Sequence, residues 1–428
     1  MFRSLRWRNY RLFFAGQFVS LIGTWLTSVA MSWLVYRLTG SIALMGTVAF
    51  AGQLPAFVLA PLAGVLVDRW DQHRVLVMTQ TLSMLQSAAL AVLALSHHIT
   101  LADIIVLQIF QGLVNGLDMP ARQTFLVRMV EDRNDLPNAI ALNSSIFNAA
   151  RALGPALAGV LIAAVGEGAC FTIDAISYLF VIIALLAMRL KLRPMPQGHH
   201  NMLAELRQGL DYIRHSVTMR SIFLLLALVS LMGLPFTTFM PAFAKLLGCS
   251  AKGFGMLSAA PGVGALAGAI YLASRRTVVG LGRLIPQAAA LFGVGLIVFG
   301  ASGWFALSLA VLPLVGVGMI LQMASSNTLL QVLADDDKRG RVMSVFTMVF
   351  TGMAPLGNLL GGHLAQHIGP RLTMVLGGAA CVGGAVWFYL QLPAIRHQVR
   401  PIYLQRGLIV AEPDPHVGIP EGAGASMH

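Results

Sequence analysis

The sequence predicts an all-α polytopic membrane protein whose twelve transmembrane helices form two pseudo-symmetric six-helix bundles. Three observations predict it. The chain of 428 residues is 57% hydrophobic and 11% charged, where a soluble domain carries roughly 25% charged residues. Runs free of Asp, Glu, Lys and Arg cover 12–36, 38–67, 75–102, 221–244 and 372–395. Each exceeds the roughly 20 residues that cross about 30 Å of hydrocarbon. The second half also repeats short motifs of the first, in the same order.

The first six spans fall near 12–36, 43–67, 75–96, 101–124, 139–165 and 168–189. The first is too long and too polar-flanked for a cleaved signal peptide and reads as a retained span. The first bundle thus covers 1–190. A polar linker, 191–220, follows. Within it Leu203, Leu206, Leu210 and Ile213 recur at steps of three and four, predicting an amphipathic helix on the cytoplasmic face. The second bundle, 221–392, holds spans near 221–244, 253–274, 284–302, 305–331, 341–366 and 371–391. The tail, 393–428, has few large apolar groups and is expected to be a cytoplasmic extension with little stable structure of its own.

The repeats argue for duplication. Val19-Ser20-Leu21-Ile22-Gly23 in span 1 returns as Val229-Ser230-Leu231-Met232-Gly233 in span 7. Gly154-Pro155-Ala156-Leu157-Ala158-Gly159 in span 5 has a counterpart in span 11, from Pro355 to Gly362. Mixed-charge loops follow spans 4 and 10. Parallel halves that meet at a midplane site are a plan of transporters.

The net charge of +12 reflects topology rather than nucleic-acid binding. With the N-terminus inside, the cytoplasmic face takes all but five of the 29 lysines and arginines. Arg37, Lys245, Lys252 and Arg371 fall on the other face, and Arg151 lies inside span 5. This is the positive-inside pattern with both termini cytoplasmic, and it favours contact with anionic lipid. Cys170, Cys249 and Cys381 stand at unrelated spacing and read as small hydrophobes. His363 and His367 are one turn apart without an acidic or cysteine partner nearby, so no metal site is predicted. No phosphate loop, Asp-Asp-x2-Asp or His-Glu-x2-His motif occurs in a span. No enzyme and no cofactor are predicted, and nothing here hydrolyses ATP.

Polar side chains inside a membrane are expensive in lipid, so they face protein or a water-filled cavity. In span 4, Gln108, Gln111, Asn115, Asp118 and Arg122 fall on one helical face. Ser144, Asn148, Arg151 and Pro155 do so in span 5, Gln17, Ser20, Thr24 and Thr27 in span 1, and Ser344, Thr347, Thr351 and Asn358 in span 11. These four helices are expected to line a central polar path, although such residues also serve as glue between helices. Asp118 and Arg122 form an i, i+4 pair in the favourable order. Arg151 needs a partner, which Asp118 or Asp174 could supply. Asp174 sits early in span 6, inside the membrane or at its edge. Gly154, Pro155 and Gly159 give span 5 a bend and a close-contact surface.

A carboxylate and two arginines stand between spans 2 and 3, in the pattern Gly64-x3-Asp68-Arg69-x4-Arg74. That spacing resembles the loop between helices 2 and 3 of the major facilitator superfamily. The likeness extends from Leu5 to about Leu392. Residues 20–25 (Ser-Leu-Ile-Gly-Thr-Trp), 36–41, 61–69, 120–123 and 138–144 carry it. Within the superfamily the chain resembles the branch of siderophore and drug exporters that includes the enterobactin exporter. The resemblance implies that Gly64, Asp68, Arg69 and Arg74 form a cytoplasmic latch, closed when the carrier faces outward. It also implies that Gly154, Pro155 and Gly159 form an antiporter-associated motif. Three departures stand out. Asp71 and His73 replace the usual glycine and basic residue. Thr24 stands where many drug exporters have an acid. In the second half the loop has decayed to Ser274-Arg275-Arg276.

The expected function is export of an organic solute, a siderophore or an amphiphilic drug, across the bacterial inner membrane by a monomer that exchanges it for protons. Asp118 and Asp174 are the available proton carriers. An uptake carrier for a small metabolite, or a membrane subunit or sensor with a soluble partner, fits the same sequence.

Overall fold

Each predicted span but the seventh folds as one long helix, and several ends are set by residues suited to ending helices. The computed structural model describes residues 3–130, 132–188, 202–275, 277–335 and 337–405, without the side chains of 60–62, 64–66, 68–69, 133, 137, 202–206, 402 and 405. The first half holds α1 (Arg8–Thr39), α2 (Ile42–Arg69), α3 (Gln72–Leu95), α4 (Leu101–Met129), α5 (Leu136–Val165) and α6 (Glu167–Leu186). The linker helix is α7 (Met202–His215). The second half holds α8 (Val217–Leu228), α9 (Phe236–Leu246), α10 (Ala251–Ser274), α11 (Leu281–Ala301), α12 (Phe305–Leu333), α13 (Arg339–Ile368) and α14 (Pro370–Leu390), followed by α15 (Leu392–Gln405). Among the described residues, twelve helical segments are long and apolar enough to cross a membrane, with α8 and α9 counted together.

Gly40, at φ 61°, ends α1 in the left-handed conformation that glycine adopts without strain. Thr100 and Asp103 close a reciprocal capping box at the start of α4. The two departures in the loop before α3 have local reasons. The Asp71 side chain caps α3 by accepting from the His73 backbone N–H at 3.0 Å. The His73 ring Nε2 donates to the Leu185 carbonyl at 2.8 Å, tying α3 to the last turn of α6.

The packing yields two bundles. In the first, α1 lies on α5 and α6, α2 on α4, and α3 on α4 and α6. In the second, α12 lies on α10 and α11, and α11 on α14. Two helix pairs, α2 with α13 and α5 with α10, make the principal junction between bundles. Buried phenylalanines fill the second bundle, among them Phe236, Phe239, Phe243, Phe292, Phe299 and Phe388.

Span 7 departs from the expected continuous helix. Residues Val229–Gly233 form a π turn, closed by Leu234 N–H donating to the Val229 carbonyl at 3.3 Å. Pro235 explains it, because proline has no N–H to give to the Leu231 carbonyl. That carbonyl instead faces α13 where Gly357 leaves room for it. The equivalent motif in span 1 has no proline after it and stays helical.

The tail also departs from expectation. Residues 392–405 form α15, whose Leu392, Ile395, Val399 and Tyr403 are buried. Gln398 Oε1 accepts from the Thr218 hydroxyl at 3.0 Å and from its backbone N–H at 3.2 Å, supporting the first turn of α8. The apolar period that seats this helix was present in the sequence. Residues 406–428 lie outside the described residues.

The linker helix α7 lies against α13, with Gly209 beside Arg341. The Tyr212 hydroxyl accepts from the Asp335 backbone N–H at 3.3 Å, and Lys338 sits over the ring at 4.7 Å. Burial pushes the Tyr212 phenol up from its ordinary value.

Candidate transport path

The two bundles meet through glycine in the half of the molecule that is poor in arginine. On α5 and α10, a Cβ at Gly159 would sit 2.5 Å from Gly255 Cα, so the two backbones touch. Toward the midplane, a Cβ at Gly262 would come 2.9 Å from the Arg151 carbonyl oxygen. On α2 and α13, a Cβ on Gly46 would overlap the Asn358 carbonyl, and one on Gly362 would come 3.0 Å from that of Ile42. At the midplane Gly352 receives the Phe57 ring. Side chains add to this seam at its outer end. Trp33 stacks on Phe254 with centroids 4.9 Å apart. Lys245 stands 5.6 Å over the Tyr36 ring, and Ser41 donates to Gln366 at 3.2 Å.

The expected motif in span 5 takes part on both sides. Gly154 and Pro155 are buried, with Gly154 against Trp25 of α1 and the Pro155 carbonyl near Gly255 of α10. Gly159 carries the cross-bundle contact.

The polar stripes divide between exposed positions and the bundle interior. Asn115, Thr24, Ser144 and Thr347 are exposed, and Asn148, Thr351 and Gln108 are partly so. Gln108 lies beside Gly52 of α2. Asn148 donates to the Ser144 carbonyl at 2.8 Å, and Thr351 to that of Thr347 at 2.6 Å. Gln17 and Ser20, each 2% exposed, do not line the path. They correct the expectation for span 1, because its face with Gly16 and Gly23 packs directly on α6. Asn358 is likewise buried, and its Oδ1 accepts from Thr238 at 2.9 Å.

Asp118 is held inside the first bundle. Its Oδ1 accepts from Thr79 and from Gln80, both at 2.7 Å. Its Oδ2 accepts from Arg122 Nε at 3.0 Å and also from Arg122 Nη2. Further along α4, Gln111 donates to Ser83 of α3 at 3.1 Å and to Asn115 at 3.0 Å. The donors on α3 were missed by sequence reading. Thr79, Gln80, Ser83, Gln86 and Ser87 recur at helical spacing there, the same signal that marked α4.

Asp174 is 1% exposed, at the junction of α1, α3 and α6. Ser87 donates to its Oδ2 at 2.8 Å. Its Oδ1 is buried with no hydrogen-bond partner, as is Thr27 Oγ1. Gly23 leaves the space that this carboxylate fills. Among the described residues no cation pairs with it.

Arg151 overturns its expectation. It pairs with neither Asp118 nor Asp174, because those acids point toward α3 while Arg151 lies on the face of α5 that meets the other bundle. Its Nη2 stands 3.3 Å from Met319 Sδ of α12, and its guanidinium carbon 5.8 Å from the Trp25 ring centroid.

The loop motif is only partly in view. Asp68 and Arg69 end α2, but their side chains, and the surroundings of Gly64, lie outside the described residues. Arg74 is exposed, with Nε 3.7 Å from Asp71 of its own helix start.

Among the described residues, twelve membrane-length helical segments in two bundles joined along a glycine seam define a membrane transporter of the major facilitator superfamily. The chain belongs to the transmembrane secretion effector family of that superfamily, whose model matches residues 1–410. It is similar to the staphyloferrin A transporter of Staphylococcus aureus, with 26% identity over 89% of this chain and 95% of the relative. The multidrug efflux pump Tap of Mycolicibacterium fortuitum is 28% identical over 82% and 88% of the two chains. Macrolide efflux protein A of Streptococcus pyogenes is 21% identical over 88% and 95%. The solved structure of a bacterial homologue of the human lysosomal transporter Spinster, inward-facing and unoccupied, has a TM-score of 0.73 at 13% identity, covering 92% and 98%. At that identity the likeness shows the fold. The chain is thus a multi-pass membrane transporter and not an enzyme.

Proposed function

We propose that this carrier exports an organic solute of the siderophore or amphiphilic-drug class across the bacterial inner membrane in exchange for protons, working as a monomer. The observation that carries the reading is the seam. Bundles in backbone contact along one half of their length, beside an exposed polar path, suit rocking about a midplane site. The positive-inside rule puts the arginine-rich face and both termini in the cytoplasm. The seam then closes the outer side, and the state is inward-facing. Relatives named as a siderophore transporter and as efflux pumps support the solute class and direction.

Mass spectrometry of medium from cells with and without the gene identifies the exported compound. Loaded into proteoliposomes with the purified protein, that compound accumulates under an imposed pH gradient, and accumulation collapses when the gradient is dissipated. Equal rates and equal final accumulation in both conditions identify a uniporter or another ion. Loss of the compound from the medium of cells that lack the gene supports export, and its loss from the cells instead supports uptake.

The loop motif supplies a second test. In the outward-facing state Asp68 is proposed to bond helix ends across the cytoplasmic junction, since carboxylates favour helix N-termini. Asp68→Asn lowers transport several-fold, roughly the effect of 1 kcal/mol, at unchanged expression. Native transport by a well-expressed Asp68→Asn protein removes the latch.

A further inference from the structure

We propose that Arg151 is the anchor of the solute site and that the solute is an organic anion carrying a carboxylate on an aromatic or apolar body. The inference deepens the carrier reading and rests on it for the identity of the path. Arg151 lies at the middle of α5, where its backbone carbonyl meets Gly262 of α10 and its side chain reaches Met319 of α12. It is the one lysine or arginine within the spans as read from sequence that stands away from either face. A charge at that depth is costly and calls for a partner.

The described residues supply no matching anion. Among the described residues no carboxylate pairs with Arg151. Asp118 is taken by Arg122, Thr79 and Gln80, and Asp174 faces α1 and α3 in the bundle core. What Arg151 does meet is a thioether, a weak acceptor, and an indole face. Neither neutralises it. Guanidinium presents paired N–H donors that match the two oxygens of a carboxylate. Beside it, Trp25 and Phe147 stand edge to face with centroids 5.9 Å apart, offering an aromatic wall. Charge and wall together select an amphiphilic anion over a cation, which Arg151 would repel.

Two dyes with the same xanthene body and opposite charge test this. 5-Carboxyfluorescein and rhodamine 6G are titrated against purified protein in detergent by fluorescence polarisation. The anionic dye is expected to bind at least about tenfold more tightly, a difference of about 1.4 kcal/mol. Arg151→Gln erases the preference, while Arg151→Lys keeps part of it because charge survives and the fork does not. Both variants are first matched to the native protein in elution profile and yield, and a misfolded Gln variant leaves the Lys variant and the dye preference of the native protein to decide. Rhodamine 6G binding as tightly as its partner, no binding of 5-carboxyfluorescein, or an unchanged preference in Arg151→Gln overturns the proposal. Transport is scored separately. A protein that binds the anion through Arg151 but never moves a solute in liposomes leaves this site standing and removes the carrier reading.

Discussion

Gly159→Leu stops transport while leaving the protein folded. The side chain has nowhere to go, since a Cβ alone would stand 2.5 Å from Gly255 Cα and 2.9 Å from the Ala251 carbonyl. Backbone cannot yield as a flexible side chain does, so the bundles must part. Overpacking of this kind costs about 1–3 kcal/mol, charged only to the state in which α5 and α10 touch. The balance between the two states of the carrier then moves roughly 5- to 150-fold toward the one open at the arginine-poor end. Each bundle keeps its own core, so yield and melting change little. Cysteines placed at Ser41 and Gln366, whose side chains meet across the seam at 3.2 Å, report the state through a short bifunctional cross-linker. Cross-linking is expected to be efficient in the native background and to fall in Gly159→Leu. Gly383→Ala, at a glycine with open space around it, is the control. Undiminished cross-linking and transport in Gly159→Leu would show that the seam does not open during the cycle.

How much of this was legible in the sequence follows from the physics of each feature. Helices announced themselves because a charge-free run longer than the bilayer has few alternatives. Asp118 and Arg122 are neighbours on one helix, so spacing alone placed them together. Their further donors on α3 were legible by the same periodicity but were not read. The break in span 7 was signalled by Pro235, although the repeat of the Val19–Gly23 motif argued for continuity. Local chemistry overrode the internal symmetry there. Arg151 is different in kind. Its neighbours Trp25 and Met319 carry no charge and come from helices 126 and 168 positions away, so no search for opposite charges finds them. Gly255, Gly46 and Gly362 were similarly hidden. A glycine inside a helix shows its purpose only when the facing backbone is known. The tail was misread because its apolar positions are few, yet four at helical spacing suffice to seat α15 on the second bundle.

Of the buried acids of the first bundle, Asp118 and Asp174 are expected to separate into a structural and a coupling role. Asp118 has donors on both oxygens, so a proton could join it only by displacing Arg122, Thr79 or Gln80. Asp118→Asn removes the charge that Arg122 faces and turns one acceptor into a donor beside Gln80. Breaking a buried pair costs about 3–5 kcal/mol, and the quarter-exposed Arg122 side chain reduces that to roughly 1–3 kcal/mol. The expected result is a lower melting temperature and yield, with coupling retained in the protein that survives. Asp174 is arranged otherwise. Its Oδ1 lies near Gly23 of α1 and accepts no hydrogen bond of good geometry, with the Thr27 and Ser177 hydroxyls close to the carboxylate, so a proton can be added there without displacing a fixed donor. Thr27, whose Oγ1 is also unpartnered, is on that helix, and exposed Thr24 on the same segment leads toward the path. Asp174→Asn keeps the size and the bond from Ser87 but cannot exchange a proton. It is therefore expected to fold normally, bind solute normally and lose accumulation against a gradient, while downhill movement or exchange continues. Counterflow and pH-driven accumulation, measured on the same proteoliposomes, separate the two functions. Full pH-driven accumulation by Asp174→Asn would return the coupling role to another group, and selective loss of it in a stable Asp118→Asn protein would assign that role to the Arg122 pair.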